Sequence, residues 1–269
     1  MSNPTVSDSW ERGNPYEQYI GRWSRQIAPL FLSWLGIPAA KRWLDLGCGT
    51  GALCAAIVDQ CAPISVTGVE PSGGFLKLAA QSLAGRVELL EASAASIPLA
   101  EASVDVTVSG LVLNFVPDVA AALAEMIRVT VPGGTIAAYV WDYADRMELI
   151  KLFWDVASDL NAHAKKLHEG ARFPLCNPDA LVTLFGSFGL RDPQAVPLDL
   201  PTHFSNFEEY WNPFLGGQGP APAYAMSLPE DARTKLRDRL RIRLPTEPNG
   251  SIRLTARAWA IRASTASNA

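Results

Sequence analysis

Cysteine and histidine are scarce in this chain, with four Cys and three His among 269 residues. The cysteines (Cys48, Cys54, Cys61 and Cys176) form no C-x-x-C pair, which argues against a zinc site or a disulfide framework and fits a reducing cytoplasm. Histidines this scattered, without a carboxylate cluster, offer no metal-ligand pattern, so no metal is expected. Excess positive charge is lacking too. The formal net charge is −4, which gives no electrostatic footprint for a phosphate backbone and makes nucleic acid a poor partner. No stretch approaches about 18 uninterrupted apolar residues, and no charged n-region with an apolar h-region opens the chain, so neither membrane spanning nor secretion is expected. Repeats and low-complexity segments are also missing. With 48% hydrophobic and 19% charged residues, the chain is too apolar for disorder and should fold.

What is present centres on Trp43-Leu44-Asp45-Leu46-Gly47-Cys48-Gly49-Thr50-Gly51-Ala52, an apolar run that breaks into three glycines and then helix formers. This reads as strand, tight turn and helix start, where glycines lacking Cβ let the backbone approach a bound group. Thr50 to Cys61 is alanine-rich and helical, and Ile64 to Val69 is a β-branched run ending in Glu70-Pro71. A right-handed crossover between parallel strands would put Glu70 at the carboxyl edge beside the glycine turn. It stands 19 residues beyond Gly51, about the spacing at which a carboxylate accepts hydrogen bonds from ribose hydroxyls.

The alternation continues with a helix over 73–83, strands at Val87–Leu90 and Val104–Ser109, a helix over 119–130, then Pro132-Gly133-Gly134 and a strand at Thr135–Trp141. Five strands separated by helices predict a doubly wound α/β sheet with its ligand at the carboxyl edge. Before it, residues 1–13 read as a loose terminus. Tyr16, Tyr19, Ile20, Trp23, Ile27, Leu30, Phe31 and Trp34 then recur at helical steps. These rings are either a buried packing face, or Tyr19, Arg22 and Trp23 cover one side of a pocket. After Trp141 the rhythm breaks. Residues 143–170 and 179–188 look helical, Val196–Leu200 is a candidate sixth strand, and Thr202–Pro222 is an irregular stretch carrying Phe204, Phe207, Tyr210, Trp211 and Phe214. Aromatics beside glycines suggest either a lid or a rigid excursion packed on the core. The arginines over residues 230–244 read as the solvated side of an amphipathic helix, and Ser251–Ile261 alternates as a strand.

Taken together, these residues resemble the class I S-adenosylmethionine-dependent methyltransferases, in the style of the ubiquinone and menaquinone biosynthesis methyltransferases. The resemblance is carried by Leu44–Gly51, by Val69-Glu70-Pro71, by Ile97-Pro98-Leu99 with Val104-Asp105-Val106, and by Arg128 to Gly134. It implies a seven-stranded, mostly parallel sheet with an antiparallel last strand. Within a single domain over 1–269 it suggests covering helices over 14–36, a cofactor-binding core over 40–142, and cap or lid insertions over 143–178 and 202–245. By the same resemblance, Asp45, Gly47, Cys48, Gly49 and Gly51 contact the methionine part of S-adenosylmethionine, and Glu70 with Pro71 holds the ribose. Ser93 and Ala94 stand where an acidic adenine-binding residue is usual, with Glu91 as the alternative. Gly110 and Leu111 line the cofactor, and Tyr19 and Arg22 cover it.

Methyl transfer is an in-line displacement that depends on approach, alignment and exclusion of water more than on acid or base chemistry. The expected acceptor is a small molecule methylated on O, N or C, met by Trp23, Phe115, Trp141, Trp211 and Phe214. If a base is required, the candidates are Asp142, His168, Glu169 and His203. Asn114 cannot titrate but could orient an acceptor. Two rival readings stand beside this one. Gly47-x-Gly49-x-x-Ala52 also fits a nicotinamide-dependent oxidoreductase, although Tyr-x-x-x-Lys is missing, and Ser93 with Asn114 would suit a regulator or scaffold that binds the cofactor without catalysis.

Overall fold

The computed structural model describes residues 17–217 and 219–267. The expected loose terminus over 1–13, Tyr16, and Gln218 of the glycine stretch lie outside that range. Seven strands form one sheet, namely β1 (Arg42–Leu46), β2 (Ser65–Glu70), β3 (Glu88–Glu91), β4 (Val104–Gly110), β5 (Thr130–Trp141), β6 (Arg191–Phe204) and β7 (Ile252–Ser264). Their order is β3-β2-β1-β4-β5-β7-β6. The first five are parallel, with β1 paired to β2 from Arg42–Ser65 to Leu46–Val69 and to β4 from Trp43–Val106 to Asp45–Val108. Strand β7 is antiparallel to β5: Gly133 N–H donates to Ala266 C=O at 3.3 Å, and Thr265 N–H donates to Gly134 C=O at 3.0 Å, so one number rises as the other falls.

This order places the site. The chain leaves β1 toward β2 and β3, then returns to lay β4 on the other side of β1. The segments after β1 and β4 therefore diverge and open a crevice at the carboxyl edge. The crossovers are α2 (Ala52–Gln60), α3 (Gly73–Leu83) and α4 (Val119–Val129), preceded in the chain by α1 (Arg22–Leu35). Local sequence sets their starts. Ser72 Oγ accepts the Phe75 N–H at 3.3 Å to cap α3, and Asp118 Oδ1 accepts the Ala121 N–H at 2.8 Å to cap α4.

The described chain falls into two compact units. One holds Ser24–Val140, Asn177–Leu198 and residues from Trp259 onward; the other holds residues up to Trp23, Trp141–Cys176 and Asp199–Ala258. The core of the first is largely aliphatic, with Phe31, Trp43, Tyr139 and Phe185 also buried. Leu44, Leu46, Val69, Val106, Val108 and Ile136 of the sheet, Leu53 and Ile57 of α2, and Leu123 and Met126 of α4 are all buried. The second is built on aromatics, with Tyr19, Trp23, Phe153, Trp154, Tyr210, Phe214 and Tyr224 buried.

Several boundaries differ from the sequence-based expectation. Strand β5 starts at Thr130, so it takes in Pro132-Gly133-Gly134. Its pairing with β4 jumps from Val104–Thr130 to Val106–Thr135, and the turn bulges out of the ladder without ending the strand. The helical stretch expected over 143–170 is divided into α5 (Glu148–Leu160), a 3-10 turn (Ala162–Lys166) and the one-turn α6 (Glu169–Arg172). The break follows from Asn161, whose side chain accepts the His163 N–H at 3.0 Å and starts the next turn. Helix α7 (Pro178–Ser187) begins as expected, with Asn177 as its cap and proline at its first position.

Strand β6 is far longer than Val196–Leu200. Its Pro193, Pro197 and Pro201 recur every four residues, so they fall on one side of this edge strand. An absent N–H breaks no ladder on the outer side, and it blocks pairing with a further strand. The stretch expected to be irregular up to Pro222 is helical beyond Phe204, as α8 (Phe207–Trp211), a 3-10 turn (Asn212–Gly216) and α9 (Pro220–Ser227). Asn206 sets this by accepting the Glu209 N–H at 2.9 Å. Helix α10 (Glu230–Arg243) buries Leu236 and Leu240.

Candidate functional site

The turn after β1 is tied to the end of β2. Gly47 and Cys48 both donate their N–H to the Val69 carbonyl, at 2.7 and 3.0 Å, and Gly51 N–H donates to the Cys48 carbonyl at 2.8 Å. Gly49 N–H donates to Glu70 Oε2 at 3.2 Å, while Glu70 Oε1 accepts the Ser72 N–H at 3.0 Å. One carboxylate thus braces the glycine turn with one oxygen and the start of α3 with the other. Burial pushes the Glu70 carboxyl up from its ordinary range, and the Ser72 and Gly49 N–H groups oppose that.

Two of the three glycines show different needs. Gly47 has φ +75°, and a Cβ there would lie 2.6 Å from both methyls of Val112. Gly49 has φ +55°, and its Cβ would meet nothing within 4 Å. Gly47 is therefore required by the protein's own packing, whereas the face of Gly49 is open to a ligand.

Beneath the turn, Asp45 is 1% exposed. Its Oδ2 accepts the Cys54 thiol at 3.2 Å, while Oδ1 has no hydrogen-bond partner among the described residues. Burial raises the carboxyl to about 7, the Cys54 thiol opposes this, and the charge of Glu70 adds to it. Cys54 in turn is held well above the usual thiol range by its bond with Cys48 and by burial. The site floor is thus made of two carboxylates, and the N–H groups of residues 47, 48, 49 and 51 are spent inside the protein. Such a floor accepts hydrogen bonds from hydroxyls and favours a cation. The N–H groups of residues 47, 48, 49 and 51, each already bonded to a protein oxygen, are not free to cradle a diphosphate.

The other side of the crevice follows β4. A Cβ at Gly110 would lie 2.6 Å from the Tyr139 hydroxyl, so no larger residue fits there. Leu111 adopts φ +65°, rare for a leucine, and donates its N–H to Tyr139 C=O at 2.7 Å. That bond holds a strained backbone in place beside the turn. Asn114 and Phe115 follow in a 3-10 turn, both partly exposed. At the end of β3, Ser93 is exposed and its Oγ accepts the Ala95 N–H at 3.2 Å. Ala94 is half-buried and Pro71 exposed. The Glu91 carboxylate lies against Gly73, whose Cβ would be 3.3 Å from Glu91 Oε2. Ser72 and Cys54 carry no motif of their own, and their parts in the site show only in these bonds. The Ser-before-helix pattern was the one signal available for Ser72.

The remaining sequence candidates belong to the aromatic unit. Tyr19 is 1% exposed and packs edge-on against Phe214 at 5.2 Å. Trp23 meets Phe204 at 5.7 Å, and the Arg22 guanidinium covers both rings while pairing with Glu209 at 2.6 Å. Trp211 stacks on Phe214 at 6.0 Å, and Trp141 is buried. Asp142 is buried, and its Oδ1 accepts the Asp145 N–H at 3.0 Å, so it shapes a turn. His168 Nδ1 accepts the Gly170 N–H at 2.9 Å, and its ring stacks on Trp154. His203 is exposed on β6 between buried Thr202 and Phe204. The alternation of a strand turns it away from its neighbours, so these base candidates do not form one cluster.

Comparison with known proteins bears on this geometry. Residues 44–138 match the methyltransferase domain family. An uncharacterized methyltransferase of Mycobacterium tuberculosis is 29% identical over 256 residues, covering 92% of this chain and 87% of that protein. Demethylmenaquinone methyltransferase of Geobacillus kaustophilus is 34% identical over 105 residues, 37% of this chain and 45% of that protein. Among solved structures, a phosphoethanolamine N-methyltransferase of Haemonchus contortus, in complex with phosphomonomethylethanolamine and S-adenosylhomocysteine, shares the fold with TM-score 0.58 at 14% identity, over 94% of this chain and 56% of that one. The matched domain begins inside β1 and ends inside β5, so it encloses every element that builds the glycine turn and its acidic floor. Residues 44–138 are a methyltransferase domain, and these likenesses support a class I S-adenosylmethionine-dependent methyltransferase.

Proposed function

We propose that the protein moves the methyl group of S-adenosylmethionine onto a small-molecule acceptor by in-line displacement. The bound cofactor supplies an electrophilic methyl carbon on a sulfonium. Glu70 carries this reading: its two oxygens brace the turn and α3 yet keep lone pairs for the ribose hydroxyls. The open face of Gly49, with Gly47, Cys48 and Gly51 behind it, receives the methionine part, and Gly110 and Leu111 line the opposite wall. Ser93 or Glu91, with Ala94, meets the adenine. The Glu70 carboxylate suits ribose hydroxyls and a cationic sulfonium better than a diphosphate, which separates this reading from a nicotinamide oxidoreductase.

Aromatic faces recognise the acceptor, the candidates being Trp23, Phe115, Trp141, Trp211 and Phe214. Asn114 orients the acceptor. Asp142 and His168 already hold backbone N–H groups, so the displacement relies on positioning and water exclusion. The net charge of −4 supports a small acceptor over nucleic acid.

Isothermal calorimetry with S-adenosylhomocysteine and with NAD tests this assignment. The expected result is saturable binding of S-adenosylhomocysteine and none of NAD. Binding of NAD alone overturns the assignment.

A further inference from the structure

A second cleft lies toward the amino edge of the sheet, away from the cofactor crevice. It has a volume of about 240 Å³ and is lined by Thr135 of β5, Asp192 and Gln194 of β6, Arg262 and Ser264 of β7, with Ile37 beyond α1 and Ala263 as its apolar part. All of these residues belong to the first compact unit. Thr135 pairs with Val106, near the amino end of the β4–β5 ladder, whereas Tyr139, whose carbonyl holds Leu111, pairs with Gly110 at the other end. Four residues of strand separate the two positions by about 13 Å. The volume is below the roughly 300–1,000 Å³ of pockets that take drug-sized ligands, so the cleft suits a small molecule.

Arg262 is held in place before any ligand arrives. Its Nη1 donates to the Leu35 carbonyl at the end of α1 at 3.1 Å, its Nη2 donates to Gln194 Oε1 at 3.2 Å, and its guanidinium lies over the Trp34 ring at 5.1 Å. Those bonds leave further guanidinium N–H groups unspent, and no carboxylate is among the partners. Asp192 lines the same cleft and is exposed. Its carboxylate enters no ion pair or hydrogen bond among the described residues, and the Thr135 and Ser264 hydroxyls are likewise unengaged there.

Two opposite charges thus share one small cleft without pairing with each other. A purely anionic ligand is attracted by Arg262 but repelled by Asp192, and a purely cationic one meets the reverse. A molecule that carries both charges a few ångströms apart satisfies both. We infer that this cleft binds a free α-amino acid with an aliphatic side chain. The ligand carboxylate accepts from the unspent Arg262 N–H groups, and its ammonium donates to Asp192, both as charge-assisted hydrogen bonds. The Thr135 and Ser264 hydroxyls meet the remaining polar atoms, and Ile37 with Ala263 receives the side chain. Because Leu35, Gln194 and Trp34 already fix Arg262, its ordering costs little on binding. The site stands apart from the methyl-transfer reading and does not depend on it.

L-Leucine tests the site, beside 3-methylbutylammonium, which lacks its carboxylate, and 4-methylpentanoate, which lacks its ammonium. Each is titrated at neutral pH into isotope-labelled wild type, Asp192→Asn and Arg262→Gln, and the amide NMR shifts are followed. L-Leucine should give saturable shifts at residues 135, 192–194 and 262–264. Each analogue should bind wild type about tenfold more weakly or worse, the worth of one lost charged contact. Asp192→Asn removes a side chain that holds nothing else among the described residues, so the fold should persist. It should weaken L-leucine about tenfold without weakening 4-methylpentanoate. Arg262→Gln should weaken L-leucine without weakening 3-methylbutylammonium; since Arg262 also binds the end of α1, Asp192→Asn carries the test if that variant fails to fold. Three outcomes overturn the site: no saturable shift or shifts confined to the glycine turn at 47–51, equal affinity for the three probes, or undiminished L-leucine affinity in folded Asp192→Asn.

Discussion

Replacing Asp45 by asparagine should change the pH dependence of stability in a defined direction. Burial pushes the Asp45 carboxyl up to about 7, against an ordinary aspartate value of about 3.9. As pH rises through about 4, the unfolded chain gives up this proton while the folded chain keeps it, so the folded state binds more protons and loses stability until pH passes about 7, after which the loss is constant. Each tenfold change in proton affinity is worth about 1.4 kcal/mol, so ionised Asp45 weakens the fold by about 4 kcal/mol at neutral pH.

Asparagine has nearly the same shape, and its carbonyl can accept the Cys54 thiol that bonds Asp45 Oδ2 at 3.2 Å, but it does not titrate. The difference in unfolding free energy, Asp45→Asn minus wild type, should therefore grow with pH between about 4 and 7 by about 4 kcal/mol and then level off. Urea unfolding of both proteins at half-unit pH steps measures this directly, and other titrating groups cancel in the difference. A difference that stays flat across the window, or one that falls with rising pH, refutes the assignment of a neutral Asp45 beneath the turn.

The same turn yields two further expectations. Glu70→Ala removes the acceptor of the Gly49 and Ser72 N–H groups as well as the proposed ribose contact. The affinity for S-adenosylhomocysteine should fall by about 1.5–3 kcal/mol, roughly ten- to a hundredfold, and an unchanged calorimetric affinity removes Glu70 from the site. Gly47→Ala and Gly49→Ala should separate fold from ligand. Gly47→Ala, with its clash against Val112 at 2.6 Å, should destabilise by about 2 kcal/mol or more in urea unfolding. Gly49→Ala, which meets no protein atom within 4 Å, should cost only about 1 kcal/mol of stability while weakening cofactor binding at least tenfold. Cofactor affinity left intact by Gly49→Ala contradicts an open ligand face there.

The parts of this molecule legible in its sequence are those written locally. The apolar run into Gly47-Cys48-Gly49-Thr50-Gly51 announces strand, turn and helix, because glycine spacing and hydrophobic periodicity act over a few residues. The start of α7 was legible for the same reason, since Asn177 and Pro178 are a cap and a first-turn proline. Glu70 could be singled out by spacing alone, because a crossover of ordinary length returns the chain to the same sheet edge. The true reach of β5 and β6 could not be read. Pro132-Gly133-Gly134 and the prolines of β6 are local break signals that a bulge and a sheet edge override.

Tertiary structure alone decided the chemistry of the turn and of the aromatic unit. On sequence alone the N–H groups of residues 47, 48 and 49 were equally free to aim at a phosphate; the Val69 carbonyl and Glu70 carboxylate, brought alongside by β2, turn them inward and make the floor acidic. Asp142, His168, Glu169 and His203 are equivalent candidates on paper. Folding makes Asp142 a turn brace, leaves His203 in solvent, and buries Glu169 where the Trp154 indole N–H donates to it. Such differences depend on which distant segments exclude water from a side chain and which donors they bring to it. No periodicity along the chain encodes either, whereas the glycine turn needs only its own neighbours.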